Sequence, residues 1–193
     1  MAVEFELKYA ADPETQEQIA QLYFQEQQHY QMSTTYYDTP SGALSDRRIT
    51  LRCRMENSQA VCTVKTPMDG YGRGEWDCRC SDIRDSIPLL CAQGAPEELK
   101  ELTAEGIVPV CGAGFDRRAA QVVLGATVLE IALDRGILTG GGREQPLCEV
   151  EVELKAGDPR VAVAFATELS SRFGLTPEER SKFRRALSLA KGE

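Results

Sequence analysis

Residues Val3-Glu4-Phe5-Glu6-Leu7-Lys8-Tyr9 alternate strictly, with Val3, Phe5, Leu7 and Tyr9 on one side and Glu4, Glu6 and Lys8 on the other. A period of two predicts a strand with one apolar and one charged face. Asp12-Pro13-Glu14 then supplies an N-cap, a first-turn proline and a first-turn acid. It predicts a helix running to about Gln28, with Ile19, Leu22 and Tyr23 on its apolar stripe. A strand over Met32–Tyr37 ends at the turn cluster Asp38-Thr39-Pro40-Ser41-Gly42. In Ile49–Met55, Thr50, Arg52 and Arg54 oppose Ile49, Leu51, Cys53 and Met55. After a turn at Glu56-Asn57-Ser58, the segment Ala60–Thr66 sets Val61, Thr63 and Lys65 against Cys62, Val64 and Thr66. The proline and glycines of 67–72 predict a hairpin connection into a strand where Arg73, Glu75, Asp77 and Arg79 alternate with Gly74, Trp76, Cys78 and Cys80. Residues 82–114 read as helical or irregular, with an amphipathic helix near Pro96–Leu102. Strands resume at Phe115–Leu124, Thr127–Asp134 and Leu147–Lys155. The last of these places Glu149, Glu151, Glu153 and Lys155 opposite Cys148, Val150, Val152 and Leu154. Two helices, Pro159–Phe173 and Pro177–Lys191, close the pattern.

Charge turns this alternation into a chemical clue. Strand after strand offers carboxylates, arginines and lysines on its polar side rather than Ser, Thr or Gln. A plain sandwich would turn those faces to bulk water. The apolar faces, however, need cover, and four helical stretches are available to give it. An α+β arrangement satisfies both demands: a closed antiparallel barrel with helices packed on its outside and a charged interior. At 193 residues, 42% hydrophobic and 27% charged, the chain is expected to be one domain, residues 1–193.

Charges inside a barrel are costly unless they are paired or bound to something. Glu4 with Glu6, and Glu149 with Glu151 or Glu153, would repel one another, and a divalent cation relieves that. Oxygen-only ligands favour Mg²⁺ or Mn²⁺. Lys8, Arg52, Arg54, Lys65 and Arg73, with the later Arg117, need an anion of high charge density, and arginine forks match phosphate oxygens. A polyphosphate with its metal answers both sets. With 22 Lys and Arg against 30 Asp and Glu, the net charge of −8 argues against broad adhesion to nucleic acid or an anionic membrane. No apolar run approaches the roughly 20 residues of a membrane span, and the opening residues predict no signal peptide. An odd count of seven cysteines fits a reducing cytoplasm better than a disulfide framework.

The motifs also resemble a known family. Glu4-Phe5-Glu6-Leu7-Lys8 is similar to the ExExK signature of the CYTH superfamily, the triphosphate tunnel metalloenzymes. Tyr36-Tyr37-Asp38-Thr39, Leu44 through Arg54, Thr63-Val64-Lys65 and Gly72-Arg73-Gly74-Glu75 resemble further family segments in the expected order. So do Leu133-Asp134-Arg135-Gly136 (a turn in the family pattern), Glu149 through Lys155, and Ser181-Lys182-Phe183-Arg184-Arg185. The resemblance implies an eight-stranded antiparallel barrel that hydrolyses or rearranges a triphosphate with a divalent metal. It is most like bacterial inorganic triphosphatases, without the helical CHAD domain that many of those carry. Thiamine triphosphatase, class IV-type adenylate cyclase and a non-catalytic polyphosphate- or nucleotide-binding module are the alternatives.

On this reading Glu4 and Glu6, with Glu149 and Glu151, hold one or two metals, and Glu153 is the alternative member of its strand. Glu4, Glu6 and Lys8 are the candidate catalytic residues. Lys8, Arg52, Arg54, Lys65, Arg73 and Arg117 clamp phosphoryl oxygens. Glu75, Asp77, Glu130 and Asp134 hold those bases. Lys182 and Arg185 share a helix face and could cap one mouth, whereas Arg184 falls off that face and is expected in solvent. His29 is expected on the surface, Cys78-x-Cys80 against a helix, and Gly70-x-Gly72-x-Gly74 is not a phosphate loop, because a strand follows it. The expected partner is a small polyphosphate, with a homodimer possible.

Overall fold

The structure, a computed structural model, describes residues 2–67 and 73–193, with side chains from Phe5 onward. The first alternating segment is two strands, β1 (Ala2–Glu4) and β2 (Glu6–Ala10), divided at Phe5. Helix α1 (Pro13–Tyr23) follows, capped by Asp12, whose carboxylate accepts from Thr15 N at 2.8 Å. Then come β3 (Gln28–Asp38), the short α2 (Ala43–Asp46), β4 (Thr50–Glu56), β5 (Gln59–Pro67) and β6 (Arg73–Arg79). Helices α3 (Ile83–Ala92) and α4 (Glu98–Leu102) lead into the long strands β7 (Val108–Leu124), β8 (Thr127–Gly140) and β9 (Arg143–Ala156). Helix α5 (Pro159–Phe173), the two-residue β10 (Thr176–Pro177) and α6 (Lys182–Lys191) complete the order.

The fold is α+β, with an antiparallel sheet ordered β1-β6-β5-β4-β3-β7-β8-β9-β2-β10. That order is open-ended, so a closed eight-stranded ring is not itself displayed by the ladder. β1 nevertheless pairs with β6, placing Glu4 opposite Arg73, and β2 pairs with β9, placing Glu6 opposite Glu153. Only Phe5 lies between these two strands.

Several boundaries differ from the periodic reading. α1 stops at Tyr23, because Gln25-Glu26-Gln27 offers no apolar stripe to bury, and Gln28–Gln31 instead pair with Asp116–Ala119 of β7. β7 starts at Val108, within the stretch read as helical or irregular. Pro109 hides it from the pattern and is accommodated beside a register shift at Tyr36/Tyr37. Leu133–Gly136 is the middle of β8 and not a turn. α6 starts at Lys182, capped by Ser181, because Thr176-Pro177 is drawn into pairing with Tyr9 and Ala10. The β8–β9 hairpin turns on Gly141 and Gly142, at φ +58° and +74°, the positive pair that a two-residue type I′ connection requires.

The apolar faces are covered as the alternation demands. Leu51, Val64 and Trp76 of β4–β6 pack with Ile83, Ile87 and Leu90 of α3 and Leu99 of α4. Cys78 lies in the same cluster, with Cys80 against it. Leu129, Ile131, Val150 and Val152 pack with Ala162, Ala166 and Leu169 of α5 and with Ile19 of α1. Among the described residues, no helix is long and apolar enough to cross a membrane. One close approach is testable: a Cβ on Gly136 would lie 2.1 Å from Gly114 O and 2.5 Å from Phe115 Cα. Gly136→Ala is therefore expected to destabilise the protein by about 2 kcal/mol or more, since backbone cannot yield as a side chain can. Urea denaturation checks this.

Candidate active site

The polar strand faces surround a single cavity of about 1390 Å³. One side is basic. Arg52 and Arg54 on β4, Lys65 on β5, Arg73 on β6 and Arg117 on β7 all line it. The opposite side, from β2, β9 and β8, contributes Glu6, Glu151, Glu153 and Glu130. Among the described residues of this lining, lysines and arginines slightly outnumber acids, although the whole chain carries 22 against 30.

Each base on the basic side is aimed by a neighbour. Arg54 is buried; its Nε donates to Thr34 Oγ1 at 3.1 Å, and its Nη1 lies 3.7 Å from Glu56. Burial, aggravated by the charges of Arg52 and Arg117, lowers its pKa to about 10. A guanidinium under that strain is a natural anion site. Glu75 holds Arg52 at 3.6 Å and Lys65 at 3.4 Å. Arg73 Nη2 donates to Arg48 O, Lys65 O and Thr50 Oγ1 at 2.8, 3.1 and 3.2 Å. Asp77, expected to hold a base, accepts from the Thr63 hydroxyl at 2.5 Å.

On the acidic side, Glu6 faces Glu153 across the ladder and Glu153 faces Glu130. Lys155 Nζ bridges Glu153 at 2.7 Å and Glu130 at 3.3 Å. Lys8, paired with Glu151 in register, donates to Glu6 at 2.9 Å. Burial alone would lower the Lys8 pKa, but Glu6 more than offsets it and the net shift is upward. Glu4 is placed opposite Arg73 by its backbone; its side chain lies outside the described residues. Positions 70 and 72 of the glycine series lie outside them as well.

Beside the cavity is a buried ion network. Asp134, Glu149 and Glu151 bring carboxylate oxygens within 4.8 Å of one another, an arrangement able to hold a metal ion. Here Lys182 occupies their centre, with Nζ 2.7 Å from Asp134 and 2.8 Å from Glu151 and also bonded to Glu149. Arg117 joins Asp134 (2.7 Å) and Glu151, and Arg185 binds Glu149. Burial opposes charging of Lys182, yet the three acids raise its pKa. Burial likewise opposes the Glu151 carboxylate, but Lys182 and Arg117 prevail and hold it well below the usual range. For Glu149 burial prevails, reinforced by Glu151, and its pKa rises.

Glu151 and Glu153 thus face the cavity, whereas Glu149 is fully buried and does not line it. Lys182 and Arg185 are buried partners of acids, Lys182 also lines the cavity, and Arg184 is exposed. His29 is exposed, 3.9 Å from Asp116. The sequence reading missed Phe115. Arg54, Arg117 and Lys182 stand 5.9, 5.8 and 5.1 Å from its ring centroid, a cation–π hub for three charges. Its place two residues before Arg117, on the same face of β7, was the available signal.

The sequence matches the CYTH domain over residues 2–187. The chain belongs to the CYTH family. It is 29% identical over 166 residues to the inorganic triphosphatase of Haemophilus influenzae, covering 82% of this chain and 47% of that protein. The chain therefore spans about half the length of this curated relative. Among solved structures it is similar to a protein from Pyrococcus horikoshii OT3, with TM-score 0.66 and 20% identity over 96% of this chain and 99% of that one. It is also similar to the Hippeastrum protein HpAC1, described as having a dominant triphosphatase activity, with TM-score 0.65 and 16% identity over 98% and 95%. At these identities the solved structures establish a shared fold. In this CYTH chain Glu6, Glu130, Glu151 and Glu153 reach the cavity from β2, β8 and β9, and Arg52, Arg54, Lys65, Arg73 and Arg117 face them from β4 to β7, with Glu56, Glu75 and Asp77 among those bases.

Proposed function

We propose that this CYTH chain is a divalent-metal-dependent triphosphatase that cleaves inorganic triphosphate to pyrophosphate and phosphate. The observation that carries the reading is the meeting of Arg52, Arg54, Lys65, Arg73 and Arg117 with Glu6, Glu151 and Glu153 around one cavity. The similarity to an inorganic triphosphatase supports the choice of substrate. We read the sheet as an eight-stranded barrel closed by residues 2–10 acting as a single strand, since their two halves pair with β6 and β9.

Glu6 and Glu153, adjacent in register, offer only hard oxygen donors and so suit Mg²⁺ or Mn²⁺; with Glu4 they would hold the cation, and Glu151 stands beside them. When bound, such a cation supplies charge neutralisation and lowers the pKa of water. Lys182 already fills the centre of the Asp134–Glu149–Glu151 group, so Glu149 is assigned to the ion network instead.

The basic side receives the phosphoryl oxygens, with Arg54 buried and Arg52 and Lys65 steadied by Glu75. Water attacks the terminal phosphorus, the bridging P–O bond breaks, and pyrophosphate leaves. The clamp acts chiefly by positioning and by offsetting charge in the transition state. The seven free thiols suit a cytoplasmic setting.

Phosphate release from inorganic triphosphate is expected with Mg²⁺ or Mn²⁺ and not with EDTA. Glu4→Ala and Lys65→Ala should each slow it by about a hundredfold. Release in EDTA, or wild-type rates in both variants, would overturn the proposal; tight binding without product would favour a binding module.

A further inference from the structure

We propose that Gln16, on helix α1, is a positioning residue for the ion network, acting through the backbone of β8 and β9. Its side chain is 1% exposed. Nε2 donates to Asp134 O at 3.0 Å and to Glu149 O at 2.9 Å. Oε1 accepts from Arg135 Nε at 3.1 Å and Nη2 at 3.0 Å. Asp134 and Glu149 are direct cross-strand partners, and their carboxylates hold Arg117, Lys182 and Arg185. One amide therefore ties the two strands together at the register position where both cross-strand partners belong to the network.

Helix docking alone does not call for this residue. Ile19, one turn on and fully buried, already supplies apolar anchorage. A buried amide with both its hydrogens and its oxygen engaged restrains geometry strongly, because the low local dielectric strengthens each bond and penalises its loss. Shifting Asp134 or Glu149 by a fraction of an ångström displaces Lys182 and Arg117, and Arg117 lines the cavity. The kinetic consequence rests on the triphosphatase reading; the structural consequence does not.

The test uses the full chain in two variants. Gln16→Met keeps length without donors, and Gln16→Glu keeps an acceptor for Arg135 without donors. Glu17→Gln is the control, since Glu17 binds Arg118 and Arg135 but not the backbone of β8 or β9. The first readout is hydrogen exchange of the Arg117 Nε–H by NMR without substrate. The second is KM against kcat for phosphate release from inorganic triphosphate. Loss of the tie is expected to speed that exchange about tenfold and raise KM about tenfold, with kcat changed less than about threefold, while the control changes neither. If Gln16→Met does not fold, Gln16→Glu decides. Variants that lose stability but keep wild-type exchange and KM, or two variants that both fail to fold, would reduce Gln16 to a helix anchor and overturn the proposal. Should the wild type release no phosphate, the triphosphatase reading fails, and the exchange rate alone decides the role of Gln16.

Discussion

Replacing Lys182 with methionine is expected to lower folding stability by about 3–5 kcal/mol, the cost of leaving buried charges without their counter-ion. Asp134, Glu149 and Glu151 have oxygens within 4.8 Å of one another, and the Lys182 ammonium is bonded to all three. Arg117 and Arg185 remain, but neither sits between all three acids. The deficit should depend on pH. The Glu149 pKa is already raised, and without Lys182 it rises further, so the folded variant binds a proton that the unfolded chain has released. Its stability therefore climbs as pH falls from neutrality toward the ordinary glutamate value of about 4.3. In the wild type Glu151 works in the opposite direction. Its depressed folded pKa contributes stability above the unfolded value, and that contribution fades as pH falls through the folded one. Urea titrations between neutrality and mild acid compare the two proteins. A variant as stable as wild type at neutral pH would mean that the acids are not held by Lys182.

Arg54→Met should move stability and activity in opposite directions. Burial and the neighbouring Arg52 and Arg117 push the Arg54 pKa down to about 10, because its charge is poorly solvated and repelled in the cavity wall. At neutral pH the guanidinium is still charged, so its removal relieves repulsion worth about 3 kcal/mol at roughly 1.4 kcal/mol per pKa unit; losing the contacts to Thr34 and Glu56 offsets part of this, and the expected net stabilisation is about 1–2 kcal/mol. The same charge is the one best placed to gain from an arriving phosphate. Phosphate release should therefore fall by about 10²–10³-fold, the usual effect of deleting one preorganised donor. Denaturation and steady-state kinetics on the same preparation check both halves. Unchanged kinetics would place Arg54 outside the substrate's reach, and a net loss of stability would show that its bond to Thr34 outweighs the relieved charge. Residues strained in the free state and satisfied by a ligand are where function and stability compete.

The alternation was legible because a strand's side-chain period is two and the polar positions here are fully charged. Arg52 and Arg54, Thr63 and Lys65, and Glu149 to Glu153 fell on the correct faces from that rule alone. Register was not legible. The rule places Glu149, Glu151 and Glu153 on one face alike, and only the docking of α6 separates them, burying Glu149 under Lys182 and Arg185 while Glu151 and Glu153 reach the cavity. Strand ends were obscured wherever long-range pairing overrode local preference, as at Gln28–Gln31 and Val108–Gly114. Gln16 looked like an ordinary polar residue on an amphipathic helix, since its partners lie 118 and 133 positions away along the chain.

The division of the N-terminal strand at Phe5 bears on how the molecule is made. Lys8 meets Glu151, and Glu4 meets Arg73, so residues 4–8 must wait for partners that leave the ribosome much later. Until β9 has emerged, β2 has no neighbour on that flank. A ribosome stalled before residue 143 should present this N-terminal segment to proteases, and protection should appear only once the hairpin of β8 and β9 has been released.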